Sequence, residues 1–252
     1  MLFVSMLIMG MIIGFIGIGG AGITIALLTV GFGVPIHTAL AVALSAMVFT
    51  TMSGALSHFK EGNVIPKTGA VLGISGMVGA FMGANISNII PSDILGKMSG
   101  SIMVLSAVLL YTKVYQPQWL NKHFPPRAGL LDGHKLYIYG SIAGCVNGLI
   151  SGAFGIGAAA FIQLTLMIIF GVPVLYAIGT CMMVILPISI AGGLGYFLNG
   201  QLDLWIFIQT LVGQAVGAYL GAKLTRLAPR PILKFFMVAM SASGGLVMLL
   251  LY

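Results

Sequence analysis

Residues 14–22 read Gly-Phe-Ile-Gly-Ile-Gly-Gly-Ala-Gly, five glycines in nine positions inside an apolar run that extends from residue 1 to about residue 33. A run this long can cross a bilayer, which takes about 20 apolar residues. Adjacent glycines loosen the backbone where a membrane helix would otherwise continue. A second copy stands at 152–160, Gly-Ala-Phe-Gly-Ile-Gly-Ala-Ala-Ala. The chain therefore reads as two units, each built around one interrupted helix. Composition agrees: 59% of the 252 residues are hydrophobic and 6% charged, against about 25% charged in a soluble domain. The apolar runs lack the alternation of a membrane β-barrel, so the expected class is an all-α polytopic membrane protein.

The two units align without a gap. Subtracting 138 places Pro173 on Pro35, and Gly152, Gly155 and Gly157 on Gly14, Gly17 and Gly19. The same offset carries Gly171-Val172-Pro173 onto Gly33-Val34-Pro35, Phe197 onto Phe59 and Gly200 onto Gly62. It also carries Gly217 and Gly221 onto Gly79 and Gly83, and Pro229 onto Pro91. A fixed offset that conserves Pro, Phe and Val as well as Gly is the internal symmetry of a transporter.

The expected organisation is a first transmembrane repeat at 1–114, a polar linker at 115–135 and a second repeat at 136–252. In each repeat a glycine-broken helix precedes three spanning helices. Residues 1–14 lack a basic n-region and read as part of the first broken helix rather than as a signal peptide. Lys and Arg fix the orientation. If each broken element enters and leaves on one side, ten of the 11 basic residues share a face and Lys97 alone lies opposite. If each crosses once, the split is 6 to 5. The first arrangement makes the repeats inverted in topology, with the linker in the cytoplasm and both termini outside. Whether the broken elements are re-entrant hairpins or pairs of crossings stays open. The net charge of +7 is absorbed by this asymmetry and calls for no nucleic-acid partner. A homodimer is one assembly the sequence leaves open.

Unwound backbone at membrane depth exposes N–H and C=O groups that must find partners. The arm after each break points N–H groups and a positive dipole end at the gap, which suits an anion. Glu61, Asp93, Asp132 and Asp203 all fall in loops or at helix ends. The interiors of the spans read as free of Lys and Arg too, so backbone, dipoles and hydroxyls would hold the anion. The expected substrate contacts are Gly17, Gly19, Gly20, Gly22 and Thr24 at the first break and Gly155, Gly157 and Gln163 at the second. Thr51, Ser53 and Ser189 join them from the spans that follow; Thr51 and Ser189 are equivalent positions. Small residues four apart, Ser75, Gly79 and Gly83 and again Gly213, Gly217 and Gly221, read as helix-packing faces. Cys145 and Cys181 read as small core residues, with no metal-ligand spacing, disulfide framework or cofactor motif around them. Ser151-Gly152 has no membrane-embedded His to activate a nucleophile, so no catalytic residue is expected.

The order Gly14-x-x-Gly17-x-Gly19-Gly20-x-Gly22, Gly33-Val34-Pro35, Ala39 and His58-Phe59-x-x-Gly62, repeated as Gly152-x-x-Gly155-x-Gly157, Gly171-Val172-Pro173 and Gly200, resembles the TauE/SafE sulfite exporter family. The resemblance covers nearly the whole chain. It departs where Ala158, Ala159 and Ala160 replace the residues matching Gly20, Ala21 and Gly22. It implies a secondary carrier of small sulfur-containing anions (sulfite, sulfoacetate or related organosulfonates) in a bacterial inner membrane, usually exporting. An anion channel of the same architecture, or a permease for another small organic anion, is the alternative.

Overall fold

The computed structural model describes residues 1–16, 21–123, 129–156, 158–225 and 230–251. Gly17, Gly19, Gly20 and Gly157, four of the expected contacts, lie outside the described residues, as do Arg127 and Arg226. The described elements are helical. The first arm is α1 (Leu2–Ile16) and the second is α2 (Ala21–Ala26), continued by a π-helical turn over Leu27–Gly31. Three long helices follow: α3 (Ile36–Lys60), α4 (Pro66–Ile89) and α5 (Ser92–Tyr115). The linker carries a short helix that its polarity did not announce, α6 (Pro117–His123). The second set is α7 (His134–Phe154), α8 (Ala159–Ile168), α9 (Val174–Leu198), α10 (Leu204–Thr225) and α11 (Arg230–Leu251). Six of these helices, α3, α4, α5, α7, α9 and α10, are long and apolar enough to cross a membrane. The chain is a multi-pass membrane protein.

Prolines and glycines set the boundaries. Pro35 and Pro173 sit at the N-caps of α3 and α9, and Pro66 opens α4, where a missing N–H costs nothing. Gly33 and Gly171 both take φ +65. That left-handed turn closes the preceding arm in the same way twice: Val34 N–H donates to Leu28 O and Val172 N–H to Leu166 O, each at 2.9 Å. The turns after α3 and α9 match as well, with Gly62 donating to Phe59 O at 3.1 Å and Gly200 to Phe197 O at 3.0 Å.

The ends of the bundle can be told apart by their contacts. At one end, Lys67 at the start of α4 pairs with Asp132 just before α7. Ile65 N–H donates to Thr180 Oγ1 near the start of α9 at 3.0 Å. Leu131 N–H donates to Phe170 O beyond α8 at 3.2 Å. At the other end, Ser87 near the close of α4 accepts from His37 Nε2 at its carbonyl, 3.0 Å. Its hydroxyl donates to Tyr196 near the close of α9 at 2.9 Å, and Tyr196 in turn donates to Gly152 O at 2.9 Å. Helix α7 thus runs from the linker end toward the far end and stops short of it, Gly152 lying against Ala80 well before α4 ends at Ile89, and α8 returns to the linker end. The second broken element enters and leaves at the same end of the bundle.

Small residues let the long helices meet main chain to main chain. In the α4–α7 pair, a Cβ on Gly148 would stand 2.1 Å from Gly76 O, one on Gly79 2.1 Å from Cys145 O, and one on Gly152 2.1 Å from Ala80 O. The α1–α10 pair repeats the arrangement at equivalent residues: Gly10 against Gln214 Cα at 2.6 Å and Gly217 against Leu7 O at 2.1 Å. In lipid, where apolar burial gives helices no reason to associate, such close approach supplies the packing energy. Helices α3 and α9 cross at the centre, burying Leu40, Leu44, Met47 and Thr51 on one and Ala177, Cys181, Ile185 and Ser189 on the other. Pro187 lies inside α9, where it removes one helical hydrogen bond. Gly73 of α4 accommodates its ring, a Cβ there lying 2.9 Å from Pro187 Cγ.

Candidate functional site at the helix breaks

The second break is the better defined. Helix α7 ends at Phe154, and Gly155 caps it in the left-handed conformation, φ +65, with its N–H on Ser151 O at 2.8 Å. The site is tight: a Cβ on Gly155 would lie 2.8 Å from Leu40 Cδ2 and 3.2 Å from Leu40 Cα. Ala158 then takes φ +45, ψ +25 at the N-cap of α8. It is the one non-glycine residue with positive φ among those described. The first intrahelical bond of α8 runs from Ile162 N–H to Ala158 O, 2.9 Å. The N–H groups of the first turn of α8 point back toward the break, as at any helix N-terminus.

Ala158 occupies a conformation that costs an L-residue about 1–2 kcal/mol. Ala158→Gly is expected to raise Tm by about 2–4 °C per kcal/mol relieved, the scale for a chain of this size. A melting scan in detergent checks it; a lower Tm would show that the alanine methyl is needed for packing more than its backbone is strained.

Polar side chains gather near this break. Gln163, on the second turn of α8, is 5% exposed and accepts at Oε1 from Lys113 Nζ of α5. The Cys181 thiol of α9 lies beside the same group and donates to Ala159 O at 3.5 Å. Asn147 on α7 donates to Ala143 O at 2.8 Å and to Thr165 Oγ1 on α8 at 3.3 Å. Ser151 in the last turn of α7 and Ser189 on α9 are fully buried, and neither hydroxyl has a hydrogen-bond partner among the described residues. A buried unpartnered hydroxyl costs about 1–3 kcal/mol, which a ligand that accepts its hydrogen would recover.

The first break draws on other elements. Thr24 on α2 is 1% exposed and accepts from Gln214 Nε2 of α10 at 2.6 Å. Gly22 meets α5: a Cβ there would lie 2.5 Å from the Met103 methyl. The hydroxyl of Thr51 turns back on its own helix, donating to Met47 O at 2.7 Å, as hydroxyls in lipid commonly do. Ser53 and its neighbour on that face, Thr50, are exposed on α3, apart from the buried hydroxyls.

The side chain of Lys113 goes where the sequence did not place it, turning from α5 onto Gln163. Its place in the last turn of an apolar helix suggests a lysine reaching for the membrane surface. Only the packing of α5 beside α8 turns it inward. Gln214 was also missed; a lone amide in a Gly-rich span is a usable signal, because a buried amide must find a partner. The four carboxylates stay out of the span interiors: Glu61 caps α3, Asp93 opens α5, Asp132 precedes α7, and Asp203 accepts from the first N–H groups of α10.

Residues 2–248 match the family model described as sulfite exporter TauE/SafE. The chain is similar to YdhB of Bacillus subtilis (strain 168), a probable membrane transporter protein, with 41% identity over 97% of each chain. YunE, of the same organism and the same description, is 28% identical over 90% of this chain and 89% of its own. A probable membrane transporter protein of Methanocaldococcus jannaschii, MJ0441, is 27% identical over 80% and 74%. No solved structure matches the chain.

Proposed function

Since this chain belongs to the sulfite exporter TauE/SafE family of membrane transporters, and is not an enzyme, we propose that it carries small sulfur-containing anions out of the cell by alternating access. Sulfite, sulfoacetate and related organosulfonates are the substrates of choice. The anion is held where the two breaks meet the central spans, by first-turn N–H groups and buried hydroxyls. One observation carries this reading: the gap lies between the first turn of α8, whose N–H groups point at it, and the last turn of α7, where the buried hydroxyl of Ser151 has no partner among the described residues. Donors without acceptors at membrane depth call for an anion. A cation site would need carboxylates, and all four lie at helix ends or in loops.

The repeats, 1–114 and 136–252, are read as inverted copies that rock against each other, as in other carriers built this way. The matching turns at Gly33 and Gly171 support the repeat. The return of α8 to its end of entry supports the inverted orientation, which places the linker 115–135 in the cytoplasm of a bacterial inner membrane. Reconstituted vesicles loaded with sulfite test the function. Saturable counterflow of sulfite or sulfoacetate is expected. Conductance of many ions per opening would make the protein a channel, and exchange of cations or neutral amines alone would overturn the anion reading.

A further inference from the structure

We propose that Lys113 is the charged residue that receives the anion at the second break, and that Gln163 holds its ammonium in place while the site is empty. The proposal rests on the anion-carrier reading and adds to it a binding residue of defined charge. The sequence has four acidic residues, and each either has other partners or lies at the opposite end of α5. Asp132 pairs with Lys67. Glu61 accepts from Asn63 and from Ser57. Asp203 caps α10. Asp93 is in the first turn of α5, whereas Lys113 is in its last, about 30 Å away at 1.5 Å per residue.

Among the described residues Lys113 therefore has no carboxylate partner. Its identified polar contact is the neutral oxygen of Gln163, a side chain 5% exposed on α8. A cation drawn off the surface onto a buried amide is unfavourable unless a counter-charge arrives. A lysine that merely reached for the membrane surface would point along its helix toward solvent, not across to α8. The missing counter-charge has a ready source in the transported anion. Gln163 lies one turn into α8, so an anion that displaces its oxygen from Lys113 also comes within reach of the first-turn N–H groups. The ammonium supplies charge and the backbone supplies direction, a division that suits a small oxyanion with several acceptor oxygens.

The test uses the full-length protein with sulfite and sulfoacetate as probes, reading both thermal stabilisation in detergent and counterflow in vesicles. Lys113→Gln is expected to raise the half-saturating concentration of sulfite tenfold or more. Lys113→Arg should restore part of the affinity, and Lys97→Gln, at the opposite end of α5, should change nothing. The second variant is Gln163→Glu, which places a fixed carboxylate on Lys113. It should raise Tm while abolishing anion binding, a pairing of effects that a purely structural contact would not give. Unchanged sulfite affinity in Lys113→Gln, or retained binding in Gln163→Glu, would overturn the proposal. The underlying reading fails separately: a wild-type protein that neither exchanges nor is stabilised by sulfite or sulfoacetate sinks the choice of substrate. Acetate and phosphate then serve as probes. Their stabilisation of the wild type but not of Lys113→Gln upholds the role of Lys113, and its absence overturns it.

Discussion

Gly152→Ala should cost about 3 kcal/mol or more, and Gly152→Val should leave little folded protein. A Cβ at this position would stand 2.1 Å from Ala80 O, 2.7 Å from Ala80 C and 2.7 Å from Ala80 Cα. All three are main-chain atoms of α4, so no side-chain rotation relieves the clash. The two helices must separate, and with them the contacts at Gly79, Gly144 and Gly148 along the same seam. Overpacking a core usually costs about 1–3 kcal/mol; here the obstruction is backbone and the upper end applies. Folded proteins hold about 5–15 kcal/mol in reserve, so the valine would use much of it. The comparison is Gly62→Ala, where a Cβ would meet nothing within 4 Å and only the φ of +71 is unfavourable. That variant should lose about 1–2 kcal/mol. Tm and the monodisperse fraction on size exclusion separate the two; equal losses would mean that the α4–α7 seam is not what the glycine serves. Gly217→Ala, against Leu7 O at 2.1 Å, should behave like Gly152→Ala.

The second large effect is on transport. Gly155→Val combines two penalties at the break itself. Its φ of +65 is left-handed, which costs an ordinary L-residue about 1–2 kcal/mol and a β-branched one more. Its Cβ would press on Leu40 of α3, both at the side chain, 2.8 Å, and at Cα, 3.2 Å. The loop between α7 and α8 must move, and the first-turn N–H groups of α8 move with it. Displacement by about 1 Å is enough to cost a positioned site a factor of about 100. Sulfite counterflow in vesicles should therefore fall by at least tenfold while the protein still inserts, with Gly155→Ala in between. Wild-type flux in Gly155→Val would remove this break from the transport path.

Much of the architecture follows from local sequence. Long apolar runs, prolines at 35, 66 and 173 and glycines at 33 and 171 mark where helices begin and end. They do so because chain stiffness and missing donors act on nearest neighbours. The repeat offset is likewise readable from the chain, and so are the packing glycines of α4 and α10. The linker helix α6 was not, since its residues are polar enough for a loop and short helices carry little periodic signal.

Side-chain destinations are another matter. In a membrane helix the face toward lipid and the face toward protein are both apolar, so no amphipathic pattern tells them apart. Ser53 and Ser189 look equivalent as polar residues on spans, yet the first is exposed and the second fully buried. Thr24 and Gln163 were legible as polar residues after a break. Their partners, Gln214 and Lys113, lie 190 and 50 residues away, and no local rule joins them. The sequence alone determined a multi-pass helical chain with two interrupted helices and no carboxylate in its span interiors, because hydrophobicity, backbone freedom and charge are properties of each residue. Only the tertiary structure decided that a lysine at the end of α5 turns inward to α8, because a contact between distant elements depends on how helices pack and not on what any one of them is made of.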